Sequence, residues 1–119
     1  MSNIDDSLAQ ILAIDGAIAA AIVDSSSGMV LGSSGSGLDI ELAAAGNTEV
    51  VRAKRKIMAS LNLKDDIDDI LITLGKQYHI IRPLAKKDDV FIYVVLDKSK
   101  ANLALARRKV LEVELLLDF

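Results

Sequence analysis

Ile4, Leu8 and Ile11 recur at helical spacing, with Leu12 widening the stripe, and predict an amphipathic helix over about Asn3 to Asp15. Asn3 is a candidate cap, Asp5 and Asp6 suit the positive end of the helix dipole, and Gly16 is a natural stop. Two short apolar runs follow, Ala17 to Asp24 and Met29 to Gly32, joined by Ser25-Ser26-Ser27-Gly28. That is the pattern of a β-hairpin. The alanines at 17, 19, 20 and 21 favour a helix on propensity. The run is short, however, is bounded by Gly16 and Gly28, and leads directly into another apolar run. We read it as a strand whose small side chains let helices approach on both faces. Gly32 to Gly37 reads as a flexible connector.

Leu38 to Leu61 is helical, with Gly46 a point where the helix can bend or break. On a wheel at about 100° per residue, Leu42, Ala43, Val50, Ala53, Ile57 and Leu61 form a broad stripe, read as the core face. A second line of Ile40, Ala44, Val51 and Met58 lies roughly 90° around. Ala44, Val51 and Met58 are seven residues apart, the repeat of a packed helix seam. The basic run Arg52, Lys54, Arg55, Lys56 takes much of the remaining surface. The helix thus has two apolar faces, and the second requires a partner.

A charged turn, Asp65-Asp66-Ile67-Asp68-Asp69, opens into Ile70 to Leu74, a strand rich in β-branched residues. Gly75-Lys76-Gln77 connects it tightly to Tyr78 to Pro83, where Pro83 marks the strand end or a bulge. After a polar turn from Leu84 to Asp89, Val90 to Leu96 is apolar on both faces, as a central strand should be. Asp97 and Ser99 are candidate caps for a last helix from about Lys100 to Leu117, with Leu103, Ala106, Val110, Val113 and Leu117 inward. The order is α-β-β-α-β-β-β-α, which fits helices on both faces of one mostly antiparallel five-stranded sheet.

Composition narrows the function classes. The 119 residues suit one domain, and 51% hydrophobic with 26% charged residues excludes a disordered segment. With no Cys, disulfide and thiolate chemistry are out, and one His makes a typical zinc site improbable. A net charge of −3 argues against a nucleic-acid partner. No apolar run approaches the ~20 residues of a membrane span, so membrane insertion is not expected. Acids at Asp5 and Asp6, where a signal peptide carries Lys or Arg, make the cytoplasm the default location.

Candidate chemistry is sparse. Gly32 to Gly37 lacks the Gly-Lys-Ser/Thr ending of a phosphate loop, and Asp39 would repel phosphate. Asp65, Asp66, Asp68 and Asp69 lack the spacing of a calcium loop. His79 sits in a strand, and Ser25 to Ser27 lack a nucleophile elbow. No catalytic, metal or cofactor residues are therefore assigned. Asn102 is expected to bond the backbone at its helix start, and Arg107 and Arg108 to pair with Glu112 or Glu114 or to meet a partner. The run Arg52, Lys54, Arg55, Lys56 is read as a solvated surface or a contact for an acidic protein patch. RNA or membrane contact is the least expected of the three readings, because the cluster is small and the overall balance acidic.

The element order resembles the roadblock/dynein light-chain family, specifically its bacterial members. The likeness is most particular at Val90 to Val113, VFIYVVLDKSKANLALARRKVLEV, where a strand ending in Leu96-Asp97 runs into Ala101-Asn102-Leu103-Ala104 and then Arg107. The hairpin Ala17 to Leu31 and the long Ala-rich second helix fit the same plan. The resemblance implies a profilin-like α/β sandwich of sheet order 2-1-5-4-3, the middle helix on one face and the terminal helices on the other. It implies a homodimer joined edge to edge through Ile70, Leu71, Ile72, Thr73 and Leu74, with Ala44, Val51 and Met58 in a helix seam. It further implies a non-enzymatic adaptor for a small Ras-like GTPase, or else a structural scaffold in a signalling or motility complex.

Overall fold

The computed structural model describes residues 3–118. The elements are α1 (Ile4–Leu12), β1 (Ala17–Asp24), β2 (Met29–Gly35), α2 (Ile40–Ser60), β3 (Ile70–Thr73), β4 (Gln77–Pro83), β5 (Val90–Asp97) and α3 (Leu103–Leu116). The five strands form one sheet of order β2-β1-β5-β4-β3, every neighbouring pair antiparallel. This is the order the resemblance implied.

Strand alternation divides the core in two. Val90, Ile92, Val94 and Leu96 of β5 join Leu8 and Ile11 of α1 and Ala106, Val110 and Val113 of α3 on one face. Phe91, Tyr93 and Val95 meet Ala44 and Val51 of α2 on the other. The alanines of β1 serve both faces: Ala20 lies on the α1/α3 side and Ala21 on the α2 side, each with no exposed surface. Tertiary burial overrides their helical propensity because a larger side chain would hold both helix layers away from the sheet.

Four boundaries differ from the sequence reading. The expected connector from Gly32 is in part strand, because Ala19 to Ile22 pair with Gly35 to Gly32. Gly35 is needed there: its φ is +90°, and a Cβ would come 2.2 Å from the Ile18 carbonyl oxygen. Helix α2 runs unbroken through Gly46; the Asp39 side chain accepts from Leu42 N–H at 3.2 Å at its start, and Asn62 takes φ +57° just beyond its end. Leu63 N–H then reaches the Met58 carbonyl at 2.9 Å, closing the helix with a left-handed turn. Helix α3 begins later than expected because Asn102, accepting from Leu105 N–H at 3.1 Å, caps it instead of Asp97 or Ser99. Asn3 does not cap α1; its amide donates to the Leu116 carbonyl at 2.6 Å.

Candidate functional site

The roles of the two α2 stripes are exchanged relative to the sequence reading. Ala44 and Val51, 0% and 1% exposed, face the protein's own sheet together with Thr48, so neither is available to a helix seam. Thr48 is tolerated in this core line because its hydroxyl donates to the Ala44 carbonyl at 2.7 Å. Met58 is half-buried and lines a groove of about 900 Å³ between the end of α2 and the β4–β5 loop. The stripe read as core is the outward one. Leu42 is 69% exposed, Ile57 51% and Leu61 64%, while Ala43 and Val50 are half-buried along its margin.

Edge strand β3 closes the sheet at the end opposite β2, with Ile70 and Ile72 on the same face as α2. Ile70 and Ile72 pack partly against the α2-side core and Leu71 against the opposite one, and all three are half-buried. Thr73 and Leu74 are exposed, and Leu74 falls just beyond the strand. The Leu74 N–H donates to the Gln77 carbonyl at 2.8 Å. By the alternation of an antiparallel ladder, the amides of Leu71 and Thr73 therefore point away from β4, toward the open edge.

Gly46 sits mid-helix on the outward side of α2, and a Cβ placed there would meet nothing within 4 Å. No contact within the chain requires this glycine, although it destabilises a helix by roughly 1 kcal/mol relative to Ala.

The basic run does not form one patch. Arg52 donates to the carbonyls of Ser25 and Ser26 at 2.9 and 3.0 Å and pairs with Glu49 at 2.9 Å. Arg55 donates to the Asp88 carbonyl at 2.7 Å. Both arginines therefore tie α2 to the loops at one end of the sheet. Lys54 and Lys56 are exposed, but their positions in the sequence place them about 160° apart around the helix.

Polar groups also converge between α2 and β4. Tyr93, buried at 1% exposure, places its hydroxyl 3.1 Å from His79 Nδ1, and His79 Nε2 lies 2.9 Å from Gln77 Oε1. Burial raises the Tyr93 phenol above its usual range, and the Asn47 side chain of α2 partly offsets this. Burial alone lowers the His79 imidazole. On the opposite face, Glu114 pairs with Arg82 instead of Arg107 or Arg108. Arg107 grips Asp69 with two hydrogen bonds of 2.8 and 2.9 Å, and Arg108 stands 3.9 Å from Glu112. Among the described residues, no group of three or more His, Cys, Asp or Glu is placed to hold a metal ion, and no helix is long and apolar enough to cross a membrane.

One long helix on one face of an antiparallel sheet of this order, with two shorter helices on the other, defines a roadblock-type α/β sandwich. The chain has the Roadblock/LC7 fold. It superposes on a Roadblock/LC7 domain from Streptomyces avermitilis with a TM-score of 0.79 at 12% identity, covering 92% of this chain and 90% of that one. Myxococcus xanthus MglB gives 0.79 at 15% identity, covering 94% and 91%. The gliding protein mglB from Thermus thermophilus gives 0.72 at 14%, covering 92% and 87%. No protein-family model matches the chain, and no curated protein matches its sequence.

Proposed function

We propose that the protein is a non-enzymatic homodimeric adaptor that binds a small Ras-like GTPase and modulates its nucleotide cycle. The observation that carries this is that the chain, with the roadblock fold, leaves open both an outward apolar stripe on α2 and the β3 edge of the sheet. A free strand edge and large exposed aliphatic side chains are features that isolated proteins usually cover. A second copy covers both at once: two β3 edges pair into one continuous sheet, and two α2 helices pack side by side.

The stripe suits its own copy. Helix α2 spans residues 40–60, so a two-fold crossing at Val50 sets Ala43 against Ile57, small against large, with Gly46 open to close approach. The interface residues in this reading are Ala43, Gly46, Val50, Ala53 and Ile57 with β3, in place of Ala44 and Val51. Of the basic run, Lys54 lies on the stripe's side of α2, and Lys56, about 160° away, remains as a contact for an acidic surface on the GTPase.

The adaptor would act by holding one switch conformation of the GTPase more tightly than the other, which shifts its population. Capture of native partners with the tagged protein, in GTP and in GDP, should retain a Ras-like GTPase preferentially in one nucleotide. Retention of none, together with unchanged turnover for every encoded Ras-like GTPase, would overturn the reading. A partner indifferent to nucleotide would instead support a scaffold, a reading favoured by the likeness to a protein described as a gliding protein.

A further inference from the structure

We propose that His79 makes association of the second copy sensitive to pH, the dimer loosening as the imidazole gains a proton. The inference rests on the dimer reading above. His79 lies on the α2 side of β4, in register with Ile72 of β3 and Val95 of β5. Val95 is fully buried under α2, whereas Ile70, Ile72 and His79 are half-buried. The floor beyond α2 is thus incompletely covered in one copy, and His79 is the ionisable member of that floor. A second α2 packed beside the first would withdraw the ring further from water.

The ring has partners for its neutral form, and neither nitrogen is hydrogen-bonded to a carboxylate. With Nδ1 accepting from the Tyr93 hydroxyl and Nε2–H donating to Gln77 Oε1, both nitrogens are satisfied without charge. Strand β3 contributes no ionisable residue, since Ile70–Thr73 is ILIT. On β5, Tyr93 touches the ring; Asp97, in register with Gln77, is engaged by the Ser99 hydroxyl and amide. On α2, Asn47 is neutral, and the charged residue on its side of the helix is Lys54, two turns further along. Desolvation alone shifts the ring, downward from 6.5.

The sign follows from linkage. Where a more buried state depresses an imidazole pKa, the freer state binds more protons below about pH 6.5, so the buried state weakens as pH falls. Two copies can take up two protons on separating, which limits the effect to about a hundredfold in dissociation constant per pH unit.

The test is sedimentation equilibrium of the wild-type chain from pH 7.5 to 5.0, beside His79→Gln. The expected result is a dissociation constant that rises as pH falls in the wild type and stays nearly flat in His79→Gln. A flat wild-type profile, or an equal slope in the variant, overturns the proposal while leaving the dimer intact. A wild type monomeric throughout overturns the dimer reading and this inference with it. Because His79 is the only histidine, its ring titration can also be followed by NMR without any substitution at that site. A ring pKa equal in the wild-type dimer and in a monomeric Ile57→Asp variant would likewise overturn the proposal.

Discussion

Glu114 is 8% exposed on the last turn of α3, and both of its carboxylate oxygens are engaged. One accepts from Arg82 of β4, and the other from the Ala85 amide at 2.8 Å, in the loop that follows. The contact fixes the end of α3 to the sheet, and it leaves no room for a neutral substitute because the Arg82 side chain is itself only 15% exposed. Glu114→Ala should destabilise the fold by about 3 kcal/mol, since it strands a largely buried guanidinium. Urea unfolding of the two proteins measures this, and a change below about 1 kcal/mol would mean that water replaces the carboxylate. Such a partner is invisible in the sequence. Glu112 and Glu114 stand near Arg107 and Arg108 along the chain, whereas Arg82 is 32 positions away and arrives only through the sheet. Local spacing can propose helix-surface pairs; it cannot rank them against tertiary ones.

Helix α2 shows the same limit for a whole element. Its existence, its extent and its two apolar stripes were legible from the periodicity, as were all five strands and the hairpin. Which stripe faces the sheet was not legible. The buried line carries Ala44, Thr48 and Val51, small residues that let α2 sit close over Ala21 and Val23 of β1. The outward line carries Leu42, Ile57 and Leu61 and is the more hydrophobic of the two by side-chain size. A hydrophobicity wheel selects the stronger stripe as core, and that choice fails here because the smaller side chains are the ones that let α2 approach the sheet. Ile57→Asp should therefore weaken self-association by a hundredfold or more, each copy losing roughly 1.5–3 kcal/mol of apolar burial. Met58→Asp, in the groove at the end of α2, should weaken it far less. Light scattering across a dilution series separates the two variants, and the reverse ranking would overturn the Ile57 stripe as the self-association surface. Thr73→Pro tests the strand: it removes an amide aimed at the open edge, so monomer secondary structure should persist by circular dichroism while the dimer weakens.

Across the whole molecule, the sheet order carries both terminal helices onto one face and leaves α2 alone on the other. The Asn3 side chain donates to the Leu116 carbonyl at 2.6 Å and accepts from the Asp118 amide at 3.1 Å, so residues 3 and 118 are held together. The described polypeptide is therefore almost a ring, fastened at a point remote from the α2 stripe and interrupted nowhere else. A permutant that joins the two ends by a few glycines and opens between Lys64 and Asp65, in the exposed stretch before β3, should fold with its circular dichroism spectrum unchanged. Loss of cooperative unfolding in that permutant would show that chain order, and not only contact geometry, is needed to build the sheet. By the same geometry, a fluorophore or surface tether fixed at either end leaves α2 and β3 open to solution. Their encounters with another molecule could then be watched one at a time.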